Sequence, residues 1–334
     1  MKLIVLFTAI LALCIGSAFA GPARAPGGVE IQAEREHVTH VRAYGYADLE
    51  QGVRMHDDTV VRIASLTKQF TAVAILRLVQ DGPLALEDTL ARRLPDCPPA
   101  WRGITLRQLL SHTSGLSGDL ALLFARIHDD LTPRQLIGVY AALPLASTPG
   151  TRWAYANINY WILGLVIEAT SGQSYADYVR EHVLAPAGLS STQIGDWATI
   201  IGHRARGYAQ SADGRIVNTR HFSTTLGYSA GGFISTAGDI ARWYGALGRG
   251  RIISLDLLHQ AVTPVLLESG ESSGYGLGWY VSDADGRILA HHGGSTFGFR
   301  AYVYWRPDDG AFAGVFLNSE GDEPQAAARL LLGR

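Results

Sequence analysis

The sequence predicts an α+β fold: an antiparallel sheet flanked by helices, with an all-helical region inserted between its strands. Three observations predict it. Residues 28–64 and the last hundred residues alternate in strand fashion, and residues 85–220 read mostly as helices with polar turns. Consecutive strands are joined by turns too short for the crossovers that parallel strands need. Both ends of the chain are therefore expected to meet in one sheet, with an α/β part at about 21–84 and 222–334 and the helical region at about 85–221. A chain of 334 residues with 47% hydrophobic side chains and a formal net charge of −2 can bury one large domain. Near-balanced charge with no Lys/Arg-rich run argues against a nucleic-acid partner.

The first 20 residues stand apart. Lys2, the apolar run LIVLFTAILALCIG and the small-residue stretch Ser17-Ala18-Phe19-Ala20 predict a secretory signal peptide cleaved near Ala20-Gly21. That run is short for a bilayer span, and no later segment is long and apolar enough to be one. The mature chain is thus expected to be periplasmic or secreted, without a membrane span. It keeps one cysteine, Cys97, so no internal disulfide is expected.

The strands VEIQAE, THVRAYGYADL and TVVRIA come first, and residues 65–81 follow as an apolar helix stopped by Gly82-Pro83. LRQLLSH, TPRQLIGVYAAL, NINYWILGLVIEAT and SYADYVREHVL read as helices, with Thr105 and Ser174 as caps and Gly172 and Pro186 as stops. TAGDIARWYGAL is a further helix. GLGWYVS, FRAYVYW and AFAGVFLNS return to strands around a turn at Pro307-Asp308-Asp309-Gly310, and EPQAAARLLLG closes the chain as a short helix.

The chemistry starts at RIASLTKQF. Ser65 and Lys68 are spaced i, i+3, which places them on one helix face. Serine is a poor nucleophile until a base takes its proton, and lysine can serve where its pKa falls toward neutrality. Burial and the positive end of a helix both lower it. Of only two lysines in the sequence, Lys2 lies in the leader; 26 arginines, which do not deprotonate, supply the other fixed cations. The one remaining lysine thus sits where a titratable amine is wanted.

Two further pieces follow. Tyr155 and Asn157, in a turn before a helix, can share a proton with the amine and hold a substrate carbonyl or the lysine itself. His292-Gly293-Gly294-Ser295 opens a strand-like stretch, where paired glycines let substrate approach the backbone and an N–H can join that of Ser65 in an oxyanion hole. A rival pattern is Gly227-Tyr228-Ser229-Ala230-Gly231, which matches the G-x-S-x-G nucleophile elbow. HFSTTL makes a poor buried strand before it, and parallel βα repeats are missing, so this stretch is expected to be a loop lining the cleft. His291/His292 and His37/His40 lack ligand spacing, so neither a metal nor a cofactor is expected.

S-x-x-K, Y-x-N and H-x-G, in this order, resemble the serine β-lactamase / penicillin-binding protein superfamily, within it the class C β-lactamase-like branch (peptidase family S12). The likeness also takes in YGYADLEQGVRMHDDTVVRIASLTKQFTA, LRQLLSHTSGL, SAGGFISTAGDIARW and HHGGSTFGFRAYVYWRPDDG. It implies a β-lactamase/transpeptidase-like fold and an acyl-enzyme on Ser65, with Lys68 and Tyr155 handling protons. Asn157, His292, Gly293, Gly294 and Ser295 would line the substrate site, and the Ser65 and Ser295 amides would bind the oxyanion. The expected activity is hydrolysis of peptide, amide or ester substrates, as in D-aminopeptidases, DD-carboxypeptidases and esterases. The alternatives are a class C-type β-lactamase or a slowly acylating sensor. The chain departs from the family pattern in two ways. Position 292 holds histidine where many β-lactamases have lysine, and the usual opening helix is missing, which would leave one sheet face thinly covered. The oligomeric state is not legible.

Overall fold

The computed structural model describes residues 24–284 and 286–333; the expected leader lies outside them. Six strands form the main sheet: β1 (Gly28–Glu34), β2 (His37–Tyr44), β3 (Tyr280–Ala284), β4 (Arg287–Thr296), β5 (Phe299–Arg306) and β6 (Ala311–Leu317). Their order is β3-β4-β5-β6-β1-β2, antiparallel throughout. The two ends of the chain meet where β1 pairs with β6, Val29 opposite Phe316 and Ile31 opposite Gly314.

Each strand's period of two sends alternate side chains to opposite faces. One face carries Val29, Ile31, Val303, Trp305, Phe312 and Phe316 into the main core. There Tyr244 of helix Ala237–Gly248 lies 4.9 Å from the Phe312 ring and 5.2 Å from that of Trp305. The other face packs Tyr304, Val315 and Leu317 against Ala328 and Leu331 of the C-terminal helix, Pro324–Leu332. Burying each such side chain contributes about 1.5–3 kcal/mol. The edge strand β2 lies outside this cover, with Val38, Val41 and Tyr44 exposed.

Helix α1 (Thr67–Gln80) is apolar nearly all round and is buried from Thr67 through Leu76, as a central helix must be. It packs on α2 (Asn157–Ser171), which is equally apolar. Thr105 builds a capping box with Gln108, Ser174 caps its helix, and Gly172 ends α2 with φ +73°, as the sequence predicted. Three boundaries differ. The Ser65 helix starts at Thr67, and Ser65 itself occupies a 3-10 turn, Ala64–Leu66, where its side chain caps nothing. Pro186 sits inside a final helical turn, Ala185–Ala187, that Gly188 ends in the αL conformation with φ +70°. The helical region stops at Ala187; beyond it Gln193–Ile194 pairs with Phe233–Ser235, and Tyr208 bridges Ser319, tying this stretch back to the sheet domain.

Candidate active site

Ser65 is carried by a strained turn. Ala64, directly before it, has φ +46°, a conformation an alanine adopts only when its surroundings impose it. The imposing element is the second half of β4. Strand β3 pairs with β4 only as far as His291, so from His292 onward that edge of β4 faces the Ser65 turn instead of another strand. A Cβ on Gly294 would collide with the carbonyl oxygen of Ile63. The motif expected at the start of a strand is therefore in the second half of a long one, and Gly294 admits the backbone of the Ser65 turn to the sheet edge.

Lys68 is the second residue of α1 and is completely buried. Its Nζ lies 2.9 Å from Asn157 Oδ1, 2.8 Å from the Ala230 carbonyl and 3.1 Å from Ser65 Oγ. Burial holds its pKa well below the usual lysine value. A neutral amine has two N–H donors and one lone pair. Asn157 and Ala230 accept two of its N–H bonds, and once the amine is neutral its lone pair faces the Ser65 hydroxyl. Asn157 caps nothing, since Ala156 is the N-cap of α2.

Tyr155 lies with its ring centroid 4.8 Å from Lys68 Nζ. Burial pushes its phenol up, and the nearby Ser65 hydroxyl offsets only part of that, so Tyr155 stays protonated. Its buried Oη has no hydrogen bond of ordinary geometry among the described residues. The two shifts separate the roles this pair can take: the amine can accept a proton, and the phenol can only pass one on.

His292 is buried beside them. Its Nδ1 lies 2.7 Å from the Gly293 carbonyl, so Nδ1 carries the proton and Nε2 accepts from Tyr275 Oη at 3.1 Å. Burial, reinforced by Lys68, lowers its pKa to about 3. The partial charge expected from a histidine at neutral pH is absent; the imidazole is neutral and carries no charge toward a carboxylate.

All eight residues singled out from the sequence converge. Ser65, Tyr155, His292, Gly293, Gly294 and Ser295 line one cavity of about 440 Å³. On the other side of Ser65 and Asn157 opens a second cavity of about 330 Å³, walled by Leu120, Leu123, Phe124, Phe222 and Phe297. Ser229 does not join them. Its Oγ is fully buried and donates to the Tyr160 carbonyl at 2.9 Å, while the next residue's carbonyl holds Lys68. The GYSAG stretch is thus structural support for the amine. His37 and His40 lie on exposed β2.

One residue of the site was not singled out from the sequence. His112, with φ +59°, grips the segment around Tyr155 at three points. Its carbonyl accepts from Ala154 N at 2.9 Å, its Nδ1 accepts from Ala156 N at 3.2 Å and lies 2.9 Å from Asn159 Nδ2, and its ring sits 4.3 Å from the Tyr155 ring. The only available signal was a polar run, SHTSG, directly after an apolar helix.

A serine facing a buried amine of lowered pKa, backed by a protonated tyrosine and a strand edge, fits the site of a serine hydrolase. The Beta-lactamase family model matches residues 17–333, and the chain belongs to that family. It is 30% identical over 284 residues to penicillin-binding protein 4* of Bacillus subtilis, covering 80% of this chain and 62% of that protein. The chain thus spans about three fifths of that relative's length. The octameric penicillin-binding protein homologue from Pyrococcus abyssi superposes with a TM-score of 0.82 at 26% identity, over 92% of this chain and 74% of that one. D-amino acid amidase from Ochrobactrum anthropi SV3, solved with L-phenylalanine amide, gives 0.77 at 28% identity, over 89% and 87%.

Proposed function

We propose that this hydrolase cleaves amide, peptide or ester bonds of small substrates built on D-amino acids, through an acyl-enzyme on Ser65, and that its N-terminal segment exports it. The observation that carries the mechanism is the buried Lys68 amine, its pKa lowered by desolvation, 3.1 Å from Ser65 Oγ. Lys68 takes the serine proton as Oγ adds to the substrate carbonyl. The Ser65 and Ser295 amides hold the resulting oxyanion. Lys68 returns the proton through Tyr155 to the leaving amine or alcohol as the carbonyl re-forms. Water then releases the acyl group by the same steps in reverse. The apolar cavity beside Ser65 suits a bulky side chain, and the similarity to D-amino acid amidase supports D-configured amides as the class. The neutral imidazole at position 292 disfavours β-lactam carboxylates.

The test combines labelling with turnover. A fluorophosphonate adduct, located by mass spectrometry, is expected on Ser65 and not on Ser229. D-phenylalanine amide and simple esters should turn over faster than penicillins. Lys68→Arg, which keeps the charge and removes the basicity, should cost about 10³-fold or more in kcat. Substantial turnover by that variant would exclude Lys68 as the base; a β-lactam preference would move the assignment to a β-lactamase, and a stable acyl-enzyme without product to a sensor.

A further inference from the structure

A third cavity, of about 510 Å³, lies behind the apolar one and shares Arg62 with it. Its lining includes four arginines, Arg62, Arg204, Arg206 and Arg220, against a single carboxylate, Asp48. The nearby acids are largely committed elsewhere. Asp48 accepts from Gln51 N at 2.9 Å and pairs with Arg206 at 3.5 Å, and Glu50 pairs with Arg206 while accepting from Asn218 at 2.7 Å. Asp196 is held by the Thr199 N–H and hydroxyl at 2.6 and 2.8 Å, and Arg204 donates to the Asp196 carbonyl at 2.7 Å.

Arg62 is different. It is 8% exposed, and among the described residues its guanidinium has no hydrogen-bond acceptor and no ion-pair partner. It lies over the rings of Trp197 at 4.5 Å and Phe222 at 5.2 Å. Aromatic faces stabilise a cation but offer no lone pair to its five N–H donors. Burial, together with the like charge of Arg204 and only partly offset by the Asp196 carboxylate, pushes its pKa down to about 10, so it remains charged at neutral pH. Its N–H groups open onto the two cavities it lines, so a ligand entering either can supply the acceptor they lack. Arg220, exposed at the same cavity, also has no acceptor among the described residues and lies 5.6 Å from the Phe297 ring, a wall of the apolar cavity.

We propose that this cavity binds an oxyanion, carboxylate or phosphate, with Arg62 as the buried fork and Arg220 as the outer one. Guanidinium matches both oxyanions in geometry. Because Arg62 lines the cavity that contains Ser65, an acidic tail on the acyl part of a substrate can reach it; a free anion can occupy it as well. Binding can be read without turnover, so a failure of the proposed D-amide activity leaves this test intact.

The experiment titrates the full chain with inorganic phosphate and with succinate by calorimetry, and compares Arg62→Gln and Arg220→Gln. Saturable binding is expected, weakened about tenfold or more in Arg62→Gln, less in Arg220→Gln, and reduced by added salt. Arg220 is exposed, so its variant keeps the test valid even if Arg62→Gln does not fold. Paired esters with neutral and carboxylate-ended acyl groups then locate the anion. A rise in KM for the acidic ester alone, about tenfold in Arg62→Gln and smaller in Arg220→Gln, assigns it to the substrate. Phosphate binding that leaves both esters' kinetics unchanged assigns it to a free anion. No binding by the wild type together with equal KM for both esters overturns the proposal.

Discussion

At the scale of single residues, the site works by protonation states that the fold sets against their ordinary values. Burial lowers the Lys68 pKa and raises that of Tyr155, since it disfavours the charged form of each. Activity should therefore rise with pH through the lowered Lys68 pKa and then level. Asn157→Asp tests this directly. A carboxylate 2.9 Å from Nζ favours the ammonium, so the acid limb of kcat/KM should move to higher pH, with activity at neutral pH down about tenfold or more. An unmoved limb would show that the limb reports some other group. The sequence already held the Ser65–Lys68–Tyr155–Asn157 group, because each residue type has a chemical reason to be at its spacing. His112 escaped it, since its use depends on a backbone turn at φ +59° that no residue pattern announces.

At the scale of elements, the nucleophile depends on how closely a strand can approach a turn. β4 outruns its neighbour β3 at His291, and the free edge meets Ile63 and Ala64 with no room for a side chain at Gly294. Gly294→Ala should cost about 1–3 kcal/mol of stability by overpacking and should lower kcat more than it raises KM. Gly293→Ala meets a Tyr302 ring carbon at 3.0 Å, a side chain that can shift, and should be milder. Urea unfolding and steady-state kinetics on both variants check the order; equal effects would remove the backbone-contact explanation. The glycine pair was legible as a close approach, but the sequence suggested substrate as the approaching group. The closer partner is the segment that carries Ser65, three-dimensionally adjacent and more than 200 residues away.

At the scale of the whole molecule, the core holds neutral histidines that an unfolded chain would protonate. His292 is lowered to about 3, and His112 is also well below its ordinary value, both chiefly by burial. Below pH about 6.5 the unfolded state therefore binds protons that the folded state refuses, so stability falls as pH falls. Each such histidine contributes a slope of up to about 1.4 kcal/mol per pH unit. Urea unfolding at pH 7, 6, 5 and 4 should show that loss, and His292→Gln should flatten it by one histidine's share. A stability constant from pH 7 to 4 would contradict the neutral assignment.

The sequence by itself determined the strand–helix–strand order, the meeting of both chain ends in one antiparallel sheet, and the four residues that meet around the Lys68 amine. These rest on local periodicity and on the fixed chemistry of residue types, which a linear string carries. Only the tertiary structure decided that Lys68 is fully buried and His292 neutral, that Ser65 sits on a strained turn and that Arg62 has no acceptor among the described residues. Those properties depend on desolvation and on contacts between distant segments, which no short window of the sequence contains.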